Sequence, residues 1–183
     1  MLLRLVLGLL ITVVGLAIAG RRVWWLYRLI RSGQPVTGRL KDVRARLEAE
    51  VAEVAGAATE AGLDPKLMEL VKIRASQLNG CAFCTDMHSR DARQLGETER
   101  RIFVLPVWAD TELFTEQERA ALALTEAATR LADRPDPVPD EVWNEAAEHY
   151  DEQALAYLLI EIAAINAFNR LSVPTRQPSG RKY

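Results

Sequence analysis

Two thiols, an imidazole and a carboxylate stand here at a spacing that can do redox chemistry. They are Cys81-Ala82-Phe83-Cys84, His88 four residues further on, and Glu69 twelve residues before the first cysteine. Cys81 and Cys84 are the only cysteines in 183 residues. A chain that places both in one C-x-x-C holds them for reactivity or metal binding rather than for stapling long loops. If a helix begins at Cys81, Cys84 and His88 follow at three and seven residues, which keeps all three within about 60° of one face. The first turn of such a helix offers unpaired backbone N–H groups and the positive end of the dipole, and both stabilise a thiolate. His88 can take the thiol proton or, once charged, lower the thiol pKa further.

Other chemistry is open to the same residues. Cys81, Cys84, His88 and a carboxylate such as Asp86 or Glu69 form a zinc-ligand set, although a structural zinc site usually draws on two separated segments. Taken alone, Glu69 reads as a solvated helix residue and His88 as an ordinary helix-surface histidine. Asp86 reads as a partner of the helix dipole, and His149 beside Tyr150 as a structural or C-terminal charge partner.

The elements that must position these groups read as helices throughout. Leu40, Val43, Leu47, Val51 and Val54 recur at three- and four-residue steps, predicting an amphipathic helix to about Ala61, stopped by Gly62. Asp64-Pro65 supplies an N-cap and a first-turn proline for a second helix that ends at Asn79-Gly80. A third is predicted from Cys81 to Leu95, ending at Gly96, and a short fourth from Glu97 to Leu105 before Pro106. Thr115-Glu116-Gln117-Glu118 is a capping-box sequence opening a helix to about Leu131. After Pro135-Asp136-Pro137-Val138-Pro139, two further helices are expected, Pro139–His149 and Asp151–Leu171. No segment alternates with period two between turn signals, so the expected fold is all-α.

Charge divides the chain unequally. Residues 1 to 41 carry seven basic and no acidic side chains, and the remainder carries sixteen basic and twenty-five acidic ones. An acidic main domain argues against nucleic acid as a partner. Leu5 to Gly20 is an uncharged run of sixteen residues. As a helix it rises ~24 Å, and extension to Leu2 with snorkelling Arg4, Arg21 and Arg22 brings it close to the ~30 Å hydrocarbon core. Trp24, Trp25 and Tyr27 would form an interfacial belt, and Arg28, Arg31, Arg39 and Lys41 would hold the following domain in the cytoplasm. A cleaved signal peptide is the rival reading, with Ala17-Ile18-Ala19 as a small-residue cleavage site; arginines directly after that site oppose export. The expected organisation is a single-pass transmembrane helix and juxtamembrane anchor over 1–31, a Gly- and Pro-containing linker over 32–39, and a helical domain over 40–183.

The stretch from Glu69-Leu70-Val71-Lys72-Ile73-Arg74 through Asn79-Gly80-Cys81-Ala82-Phe83-Cys84-Thr85-Asp86-Met87-His88 resembles the signature of the alkylhydroperoxidase D-like branch of the carboxymuconolactone decarboxylase family. Phe114-Thr115-Glu116-Gln117-Glu118-Arg119-Ala120-Ala121-Leu122 resembles that family's following helix, and Ile165-Asn166-Ala167-Phe168-Asn169-Arg170-Leu171 its closing one. The resemblance covers roughly residues 40 to 178 and implies an all-helical fold that assembles into homo-oligomers. It further implies that Cys84 attacks a hydroperoxide, that Cys81 resolves the product as a Cys81–Cys84 disulfide, and that His88 and Glu69 relay protons. Some members carry a histidine immediately before the second cysteine, where this chain has Phe83. The decarboxylase branch proper does not depend on a C-x-x-C.

The expected function is therefore a membrane-tethered thiol peroxidase that reduces organic hydroperoxides, with lipid hydroperoxides suggested by the anchor. It needs no metal or bound cofactor, and a lipoyl-bearing or thioredoxin-like dithiol would regenerate it. The alternative is a redox-sensing or interaction subunit of a membrane complex, in which the disulfide is a switch without steady-state turnover.

Overall fold

The computed structural model describes residues 36–133 and 135–180. The anchor expected over 1–31 lies outside them. Seven α-helices and one 3-10 segment make up the described chain, and it contains no strand. They are α1 (Val36–Glu60), α2 (Pro65–Leu78), α3 (Ala82–Gln94), α4 (Glu99–Val104), the 3-10 segment Leu105–Asp110, α5 (Glu116–Thr129), α6 (Asp140–His149) and α7 (Glu152–Ser172).

Most helix ends follow from local chemistry. The Asp64 carboxylate accepts from the Lys66 amide at 2.8 Å, and Pro65 fills the first helical position of α2. Thr115 and Glu118 form the reciprocal capping box of α5, with Glu118 accepting from the Thr115 amide at 2.8 Å. Asp151 caps α7 by accepting from the Ala154 amide at 2.8 Å. The helix expected to start at Leu40 begins earlier, so residues 36–39 of the expected linker are helical. Pro35 ahead of the first turn is compatible with that start, and Gly38 is tolerated inside it. Pro106 does not end the chain's helical path either. As an early residue of the 3-10 segment it gives up an N–H that would have had no partner.

The chain divides into two compact units, residues 1–44 and 45–183. The second is organised around α2, which packs on α3, α5 and α7. Leu67, Met68 and Val71 of α2 meet Ala121 and Leu124 of α5 and Leu155, Leu158 and Ile162 of α7. Leu70 and Ile73 face Ala92, Ile102, Leu105 and Phe114 in a second cluster. Ala75 joins Cys81, Phe83, Cys84 and Ile165 in a third. Burying apolar surface all round one helix stabilises the unit and fixes that helix's position.

By length and composition, α7 is the one described helix that could cross a membrane. Its place against α2, α5 and α6 accounts for that apolarity as core packing.

The reversal from α2 to α3 is tight and heavily bonded. The amides of Asn79, Gly80 and Cys81 return to the carbonyls of Ala75, Gln77 and Ser76 at 3.0, 3.2 and 2.9 Å. The Asn79 side-chain amide donates to Asn166 Oδ1 at 2.8 Å and Asn169 Oδ1 at 2.9 Å, and Asn169 donates to Ser76 Oγ at 3.1 Å. Gly80 has φ +66°, a left-handed conformation that a side chain disfavours. A Cβ at Gly80 would meet nothing within 4 Å, so the cost of Gly80→Ala is conformational alone. We expect Gly80→Ala to lower unfolding stability by about 1–2 kcal/mol in urea titrations; an unchanged midpoint would show that the turn does not hold this backbone in solution.

Candidate functional site

The reversal places the first cysteine at a helix cap. Cys81 is the N-cap of α3, and its Sγ accepts from the Cys84 amide at 3.3 Å. Cys84 lies in the first turn. The two sulfurs are side by side, with Cα atoms 5.4 Å apart, inside the span of a disulfide. Both residues are buried, at 2% and 1% exposure. In the reduced pair, amide donation and the helix dipole would favour negative charge on the Cys81 sulfur.

Folding α3 back along α2 brings together two residues that the sequence separates. His88 Nδ1 lies 2.8 Å from Glu69 Oε2, and both side chains are buried. Lys72, one turn beyond Glu69 on α2, places its Nζ 2.5 Å from the other carboxylate oxygen, Oε1. Burial by itself raises the Glu69 pKa, but the His88 hydrogen bond and the charges of Lys72 and His88 outweigh it and hold the carboxyl below its ordinary value. An ionised carboxylate only accepts, so His88 Nδ1 is the donor of that hydrogen bond.

The remaining sequence candidates are placed elsewhere. Asp86 Oδ2 accepts from the Gly180 amide at 3.1 Å, which ties the C-terminal segment to α3. His149 faces Glu145 on its own helix, 3.5 Å away. Phe83 packs with Cys81, Cys84 and Ile165 in the core.

Three further residues belong beside the expected four. Lys72 and Asp91 were legible as helical neighbours, three residues beyond Glu69 and His88. Glu161 was not tied to the site by any local motif, although a lone carboxylate inside Leu158-Leu159-Ile160-Glu161-Ile162 is itself a signal. It is 1% exposed, and its Oε2 lies 4.0 Å from Lys72 Nζ. Glu69, His88 and Asp91 bring potential metal-ligand atoms within 4.8 Å of one another. The Lys72 ammonium already supplies a positive charge against Glu69 there. A separate cavity of about 440 Å³ lies against Thr85, Ser89 and Arg93 of α3, and neither cysteine lines it.

A sequence profile of the carboxymuconolactone decarboxylase family matches residues 45–127. The uncharacterized protein YdfG of Bacillus subtilis (strain 168) is 48% identical over 105 residues, which is 57% of this chain and 70% of YdfG. The chain belongs to the carboxymuconolactone decarboxylase family. The uncharacterized protein YnjA of Escherichia coli (strain K12) is 32% identical over 110 residues, covering 60% of this chain and 59% of YnjA. Among solved structures, ATU0492 of Agrobacterium tumefaciens superposes with TM-score 0.68 at 32% identity, over 79% of this chain and 97% of its own. That protein is described as of unknown function and proposed to be the antioxidant-defence protein AhpD. The debrominase Bmp8 shares the fold, with TM-score 0.58 at 22% identity over 64% of this chain and 62% of its own. The alkylhydroperoxidase D-like all-helical fold expected from the motif is thus the fold of this family member.

The depressed Glu69 pKa sets a sign for pH dependence. Its contribution to stability is present above the unfolded-state value and is lost as pH falls through the folded-state value. We expect Glu69→Gln to cost about 2–3 kcal/mol at neutral pH, with the gap to the parent narrowing as acid protonates Glu69. Urea unfolding at a series of pH values checks this, and a gap that widened in acid would contradict the Glu69–His88–Lys72 linkage.

Proposed function

We propose that the protein is a thiol peroxidase that reduces organic hydroperoxides through a Cys81–Cys84 disulfide cycle. The observation that carries this reading is the buried contact, at 2.8 Å, between Glu69 of α2 and His88 of α3, the helix whose N-cap and first turn hold the two adjacent cysteine sulfurs. A bonded carboxylate holds the imidazole in one orientation, which is the arrangement a base serving a thiol nucleophile requires. Membership of a family whose solved relative is proposed to serve antioxidant defence supports the same reading.

In this cycle the Cys84 thiol gives its proton to His88, and the thiolate attacks the outer peroxide oxygen. The O–O bond breaks, Cys84 becomes a sulfenic acid, and the departing alkoxide takes the proton back from His88 to leave as an alcohol. The Cys81 thiol then attacks the Cys84 sulfur, forming the disulfide and releasing water. A dithiol, lipoyl-bearing or thioredoxin-like, attacks Cys84 in turn. Cys81 leaves as the thiolate that its N-cap position stabilises.

The basic, apolar N-terminal segment makes the membrane the place of action and lipid hydroperoxides the favoured substrate class. The domain would face the cytoplasm, and exposed Phe103 and Val107 offer apolar surface for self-association.

Intact mass and thiol count of the reduced protein, before and after one equivalent of an organic hydroperoxide, test the chemistry. The parent is expected to lose two thiols and two mass units, approximately, as one disulfide forms. Cys84→Ser should consume no peroxide, and Cys81→Ser should stop at a sulfenic acid that a dimedone-type reagent traps. An unreactive, metal-free cysteine pair would sink the peroxidase reading. Oxidation that occurs once but does not turn over with excess dithiol would favour a redox-sensing subunit of a membrane complex instead.

A further inference from the structure

The buried cluster holds two carboxylates and one lysine, and the lysine does not serve them equally. Lys72 Nζ is 2.5 Å from Glu69 Oε1 and 4.0 Å from Glu161 Oε2. Glu69 also receives His88, whereas neither carboxylate oxygen of Glu161 has a hydrogen-bond partner. Burying an ionised carboxylate without hydrogen bonds is among the costliest arrangements in a protein interior, and two carboxylates facing one cation favour a proton on one of them. The bonded one, Glu69, is the better anion. The proton therefore falls on Glu161.

We propose that Glu161 is a positioning residue of the proton relay, a buried neutral acid that leaves Lys72 to Glu69 and so keeps Glu69 ionised against His88. This rests on the reading of His88 as proton acceptor for Cys84. The charged groups acting on Glu161 are Lys72 and Glu69 from α2 and His88 from α3. Burial, reinforced by the Glu69 carboxylate, pushes the Glu161 pKa up against the opposing pull of Lys72 and His88. When Glu161 does ionise at higher pH, a second negative charge enters the cluster and Lys72 is shared. The added negative charge opposes formation of the Cys84 thiolate.

The test uses full-length reduced protein and two readouts that do not involve peroxide. In infrared difference spectra at neutral pH, the parent minus Glu161→Gln should show the carbonyl stretch of a protonated carboxylic acid. Iodoacetamide labelling of the Cys84 peptide, followed by mass spectrometry across pH, should give a broadened two-step profile in the parent. Glu161→Gln should give a single step with its midpoint shifted to lower pH, and the two profiles should converge on the acid side.

Absence of the protonated-acid band, or superimposable labelling profiles, would overturn the proposal. Should Glu161→Gln not fold, Lys72→Met provides the second variant. Removing the cation that lowers the Glu161 pKa should make the protonated-acid band persist to higher pH, and an unmoved band would overturn the proposal. Peroxide consumption with unaltered labelling profiles would remove Glu161 while leaving the peroxidase reading intact. The Glu161 effect in a protein inert to peroxide would do the reverse.

Discussion

The site depends on one constraint, that α3 runs back along α2 closely enough for His88 to meet Glu69. Those residues are 19 positions apart, and no local motif could join them. The joining is done by the reversal at Asn79-Gly80-Cys81. There, three backbone amides return to the end of α2 while Asn79, Asn169 and Ser76 tie the turn to α7. A polar clamp suits this place because a helix end leaves backbone groups that apolar packing cannot satisfy. The same turn that solves this hydrogen-bonding problem also sets Cys81 at the cap of α3. The meeting of His88 with Glu69 and the place of Cys81 at a helix cap are therefore consequences of one piece of backbone.

Around that turn the core and the site make opposite demands on α2. Leu70, Val71, Ile73 and Ala75 are fully buried and favour an apolar surrounding, yet Glu69 and Lys72 on the same helix carry charge into it. The conflict is resolved by clustering: Glu69 binds both His88 and Lys72, so little charge is left uncompensated. Glu161 completes the cluster from α7. Its protonation would avoid the further cost of a second buried anion. A buried polar group of this kind contributes little to folding, and the proposed positioning role gives a reason for its presence.

How much of this is legible in the sequence follows from the range of each interaction. Caps at Asp64 and Thr115 depend on residues two or three positions away, and they read correctly. The four expected site residues could be named from their spacing and family resemblance, but the Glu69–His88 contact needed the tertiary fold. Glu161 was harder. Periodicity places it in an apolar helix, and only the packing of α7 on α2 shows which charges it meets. Pro106 misled for a different reason: proline ends an α-helix from within, but it also fits the start of the 3-10 segment that follows α4. The start of α1 at Val36 shows the weakness of a linker inferred from Gly and Pro alone.

Phe83 gives the arrangement its chemical logic. Where some family members carry a second imidazole, this chain has a ring packed into the cluster around Cys81, Cys84 and Ile165. The chain has two histidines in all, and His149 belongs to α6 and faces Glu145, so His88 is the one imidazole placed on the cysteine helix. A relay with one base has no second group to compensate if that base is mistuned. Under the proposed relay the tuning then falls to the charges around that base: His88 and Lys72 both meet Glu69, and Glu161 stands 4.0 Å from Lys72. If the proposed relay operates, the lysine on α2 and the acid on α7 belong to it as well as the C-x-x-C, because they are the charged groups that share the buried space with Glu69.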